Sequence, residues 1–159
     1  MKIKYIPENF SVGKDEDDTY EDKANRGFVD ESQIDRNVLR LVKALNCMGF
    51  LTCQCCEGSY RTCIWKKKRD YNRCDLSPWV NWLVHQNRDG RERTALLKKL
   101  LSEYNKRSAV KWAVFSMGRA WSVDGYYEAR SLTVARNPKR KLRKSEIDNL
   151  AFFIYDKLD

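Results

Sequence analysis

Apolar residues recur at three- and four-residue intervals in three stretches of this chain, and in clusters of strand length between them. Ile34, Val38, Leu41, Val42, Leu45 and Met48 share one face at helical period. Asp30 stands where an N-cap is wanted, and Gly49 where a left-handed C-terminal cap is wanted. A second helix is marked by Leu96, Leu97, Leu100, Leu101 and Tyr104. A third is marked by Ile147, Leu150, Ala151, Ile154 and Leu158, with Ser145 and Asp148 spaced as a capping box.

The strand signals fall between these helices. Phe50 to Cys53 reads as a strand leaving the first helix. Pro78 opens Trp79-Val80-Asn81-Trp82-Leu83-Val84, which is strand length. Asn87-Arg88-Asp89-Gly90 carries a turn signal. Val110 to Ser116 and Tyr126 to Ala135 read as two more strands, with Gly118 and Asp124-Gly125 as breaks and Asn137-Pro138 as the end. Helices interleaved with antiparallel strands predict an α+β fold, a mainly antiparallel sheet of about four strands with three helices packed against it. Residues 8–30 lack this patterning. Residues 1–31 are therefore expected to form an acidic, largely irregular arm, and residues 32–159 a single domain.

Charge adds a partner class. The 159 residues have a net charge of +9. Residues 1–35 hold ten acidic and five basic side chains, and the rest of the chain has a net charge of +14. A positive body attracts anions, so nucleic acid or a nucleotide is the expected partner, with an acidic or nucleic-acid-bearing protein as the alternative. Two basic blocks stand out. Arg61, Lys66, Lys67, Lys68, Arg69 and Arg73 are interleaved with Trp65 and Tyr71, which combines phosphate neutralisation with base stacking. Arg136, Lys139, Arg140, Lys141, Arg143 and Lys144 form the second block, ahead of a helix N-terminus. Solvated lysine loops are the plain reading of both.

All six cysteines lie between Cys47 and Cys74. Cys53 and Cys56 form a C-x-x-C pair, and Cys63 and Cys74 could complete a four-thiolate structural zinc site. The second pair is ten residues apart, not two to four, so the usual knuckle spacing fails. On a regular strand Cys53 and Cys55 would share one face and Cys56 the other. The plain reading is that these cysteines are small buried hydrophobes. Cys56, before Glu57-Gly58, is the best-placed redox thiol. Beyond zinc, no cofactor is expected.

Leu45-Asn46-Cys47-Met48-Gly49-Phe50-Leu51-Thr52-Cys53-Gln54-Cys55-Cys56-Glu57-Gly58 resembles a helix–strand–loop segment of small phage and mobile-element proteins. There the pattern L-N-x-x-G runs on to T-x-x-x-C-E-G-H and a Pro-aromatic strand. Thr52, Cys56 and Gly58 are also similar to the T-x-x-x-C-S-G-R segment of the tRNA-wybutosine-synthesis methyltransferase family. Ser59 replaces the His or Arg of both. The first resemblance implies a phage protein, including an inhibitor of a bacterial defence system. The second implies an RNA-modifying methyltransferase.

Other chemistry has little support. There is no P-loop, no nucleophile elbow and no zinc-deaminase signature. His85 is the single histidine, at a strand end. Asp124 and Glu128, with Arg130, are the nearest carboxylates to a magnesium site. No apolar run approaches the roughly 20 residues that span a bilayer, and the N-terminus has no secretory h-region, so a cytoplasmic protein is expected. The reading is a small basic binding protein rather than an enzyme.

Overall fold

The computed structural model describes residues 34–56, 58, 76–122, 125–136 and 138–158. Their order is a 3-10 turn (Arg36–Val38), α1 (Leu39–Cys47), β1 (Leu51–Cys56), β2 (Trp79–His85), α2 (Arg88–Arg107), β3 (Trp112–Ser122), β4 (Gly125–Val134) and α3 (Lys144–Asp156). The strands form one antiparallel sheet in the order β1-β2-β4-β3. The expected α+β class holds. The arm and its Asp30 cap lie outside the described residues.

One face of the sheet carries the core. Val80, Trp82 and Val84 alternate along β2 and are buried, as are Leu132 and Val134 of β4 and Trp112 of β3. The apolar stripes of all three helices pack there. Every predicted stripe residue of α1 is buried, from Ile34 to Met48. The Phe50 ring lies 5.0 Å from that of Trp82. On α2, Leu97, Leu100 and Leu101 point inward, whereas Leu96 is exposed and Tyr104 packs on Phe153 at 5.3 Å. The opposite face holds a smaller cluster of Leu83, Tyr127 and Ala129, and the His85 ring lies against that of Tyr127 at 4.4 Å, tilted by 53°. His85 is thus a packed strand residue.

Gly49 closes α1 as expected. Its φ is +83°, its N–H donates to the Asn46 carbonyl at 2.8 Å, and Phe50 N–H donates to Leu45 carbonyl at 3.1 Å. That pair of bonds is a Schellman motif, which satisfies carbonyls the helix end would leave open.

Four local expectations change. Asn87 to Gly90 is not a free turn. Asn87 is the N-cap of α2, accepting the Gly90 N–H at 2.8 Å, so the helix starts well before Leu96. Gly90 is required because a Cβ there would lie 1.9 Å from the His85 carbonyl oxygen. Gly118 does not break the chain but sits within β3, at a bulge between Ser116 and Gly118 with φ +121°. A bulge between Thr52 and Gln54 makes Cys53 the extra residue of β1. The alternation is interrupted at that one residue and regular from Gln54 to Cys56, so Thr52 and Cys55 both pair with core positions, Trp82 and Val80. Finally, α3 begins at Lys144 with Arg143 as N-cap, not at Ser145. Glu146 reaches back to accept the Arg143 N–H at 2.7 Å, while Asp148 is engaged elsewhere.

Candidate anion-binding groove

Two hollows share Lys111 in their linings, between the end of α2 and the start of β3. The first, about 560 Å³, lies between α2 and β3. Lys98, Ser102 and Lys106 rim it from successive turns of α2, because residues four apart share a helix face. Lys111 joins them from the connecting loop, and Trp112, Ala113 and Val114 form the other wall. No carboxylate is among these described lining residues. The second hollow, about 620 Å³, is walled by Val110, Val134, Pro138 and Leu142, with Lys111 and Arg136 as its cations.

The junction is built firmly. Asn105 uses its side-chain amide like a strand partner: it donates to the Trp112 carbonyl at 2.8 Å and accepts the Trp112 N–H at 2.9 Å. This satisfies the start of β3 on the side away from β4. Lys111 Nζ donates to the carbonyls of Asn105 and Ser108. A cation suits these carbonyls at the end of α2, where the helix dipole is negative. Two acceptors leave one of the three ammonium protons for a ligand.

The second basic block divides here. Arg136 lines the second hollow, and Lys139, Lys141 and Arg143 are exposed. Arg140 and Lys144 are occupied. Arg140 forks onto Glu146 at 2.7 and 2.9 Å, and this pairing holds the Glu146 carboxyl well below its usual range, at about 2. Lys144 reaches Asp148 at 2.7 Å. Asp148 also takes Arg40 at 2.7 Å, joining α3 to α1. Arg61, Trp65, Lys66, Lys67, Lys68, Arg69, Tyr71 and Arg73 lie outside the described residues.

The zinc set also lies outside. Cys63 and Cys74 are not described, and Cys53 and Cys56 are described as backbone alone. Cys55 is half-buried and packs against the core, in keeping with a small hydrophobe. Cys47 shares a hydrogen bond with Tyr155, and desolvation pushes its thiol up despite that bond and the nearby Lys43. Glu128 is paired with Arg130 at 2.9 Å and accepts Ser116 Oγ–H at 3.0 Å, so its carboxylate is already engaged; Asp124 is not described.

The residues behind the two resemblances have clear local work. Thr52 is fully buried and its hydroxyl donates to Asn46 Oδ1 at 2.6 Å, tying β1 to α1. Gly58 has φ +83°, and a Cβ there would lie 2.7 Å from the Leu76 carbonyl oxygen. The glycine permits a close backbone approach. Compared with family models, with curated proteins and with solved structures, the chain finds no match. No helix among the described residues is long and apolar enough to cross a membrane.

The lysines of the first hollow were not singled out by the sequence pattern. Lys98, Ser102 and Lys106 at four-residue steps are a readable signal of one polar helix face. Lys111 joins them only through the fold.

Proposed function

We propose that the protein binds an anionic partner, nucleic acid or a nucleotide, at the groove between α2 and β3. One observation carries this reading. Lys98, Lys106 and Lys111 converge on a groove whose described lining has no carboxylate. Unopposed ammonium groups on a concave surface concentrate phosphate-bearing ligands and release their counterions on contact. The exposed cations Arg136, Lys139 and Arg143 extend the positive surface beyond it.

Fluorescence anisotropy with a labelled single-stranded oligonucleotide tests the proposal. Affinity is expected to fall steeply as salt rises. The double variant Lys98→Glu, Lys106→Glu is expected to lose binding while unfolding at the same temperature as the wild type. Salt-insensitive binding, or binding untouched by the double variant, overturns it.

A further inference from the structure

Resting on that reading, we infer that the paired hollows form a site for a single nucleoside polyphosphate. Its phosphates lie along Lys98, Lys106 and Lys111, and its base lies in the second hollow.

The two hollows differ in chemistry. The first presents ammonium groups and the Ser102 hydroxyl. The second is walled mainly by aliphatic side chains, with Arg136 at hand. Each, at about 560 and 620 Å³, falls in the range of about 300–1,000 Å³ typical of small-ligand sites. A ligand that fits both must have a strongly anionic part joined to an apolar, compact part. A nucleoside polyphosphate has this division, and the cations complement its several negative charges.

Lys111 lines both hollows and is held by the two carbonyls at the end of α2. It is therefore preorganised to meet the phosphate nearest the sugar. Ala109 and Ala135 line the base hollow and are exposed, so the hollow can be filled without disturbing the core. The Ala135 N–H donates to the Lys111 carbonyl at 2.7 Å, a backbone bond that a larger side chain leaves in place. Aliphatic walls offer shape rather than base-edge hydrogen bonds, so the four common bases should be accepted with similar affinity.

Isothermal titration calorimetry with adenosine triphosphate and with inorganic triphosphate, at one salt concentration, tests this. The nucleotide is expected to bind at least about tenfold more tightly, since covering roughly 55 Å² of the base against aliphatic walls is worth a factor of about ten. Ala135→Trp, and independently Ala109→Trp, should reduce nucleotide affinity to that of triphosphate and leave triphosphate binding unchanged. Thermal unfolding of each variant confirms that it is folded. Equal affinity for the two probes overturns the inference, as does nucleotide binding unaltered in both filled variants. If the oligonucleotide still binds in a manner sensitive to Lys98→Glu, Lys106→Glu while adenosine triphosphate gains nothing over triphosphate, this site assignment falls and the anionic-partner reading stands.

Discussion

The α1–α3 seam and the α2–β3 groove are both rich in cations, and they use them in opposite ways. In the seam, Arg40 and Lys144 converge on Asp148, which is almost fully buried, and Arg40 also lies over the Phe152 ring at 5.3 Å. Two cations there share one buried carboxylate, and that shared pairing holds two helices together. In the groove, Lys98 and Lys106 are exposed along the edge of α2 that borders β3, and the described lining has no carboxylate. Charge left without an internal partner is charge that can serve an external one. A tally of basic residues cannot separate these roles, and the second basic block contains both.

Removing the anchor of the seam gives the largest expected effect. Asp148→Ala leaves two cations at a half-buried helix interface and should reduce stability by about 3 kcal/mol, seen in chemical denaturation. Oligonucleotide binding by the folded fraction should be unchanged. A loss of less than about 0.5 kcal/mol would show that the seam does not depend on this ion pair.

Next comes the scaffold of the groove. Asn105→Ala strips the Trp112 N–H and carbonyl of their partner and should destabilise the protein by about 2 kcal/mol, with amide exchange at Trp112 accelerated. An unprotected Trp112 amide in the wild type would contradict the assigned role.

Glu146 gives a smaller, pH-dependent effect. Its carboxyl titrates at about 2 when folded against an ordinary value of 4.5, because Arg140 and the Arg143 N–H hold the charged form. The folded-state value is the lower one, so the contribution is complete above pH 4.5 and is lost as pH falls through about 2. Glu146→Gln should therefore melt below the wild type at neutral pH, and the two melting curves should converge across that window. A gap that persists at pH 2 would point to another cause.

The smallest effect on stability is expected in the groove itself. Lys98→Ala should shift folding free energy by less than about 0.5 kcal/mol, since an exposed lysine without a buried partner has little structural work. Its effect should appear in binding. A large destabilisation would place Lys98 with the seam rather than with the groove.

Much of the architecture was legible because it depends on local periodicity. The buried stripe of α1 and the inward Leu97, Leu100 and Leu101 follow the 3.6-residue repeat, and β2 shows as an apolar run of strand length. Gly49 was legible because its conformation is a property of one residue. Where local reading failed, a contact from elsewhere had intervened. Leu96 looked like part of the stripe, but the sheet lies on the other side of the helix. Gly90 looked like a turn residue, but the His85 carbonyl demands it. The cysteine alternation failed at one inserted residue of β1, which no composition reveals.

The sequence alone determined the helix and strand set, the antiparallel α+β class and the excess of positive charge, because each arises from neighbours along the chain. The tertiary structure decided which of those charges remain available. Arg40 and Asp148 are 108 residues apart and meet only when α1 packs on α3. Lys111 links two hollows only because β3 returns beside the end of α2. Electrostatic partnership depends on distance in space, and folding sets that distance.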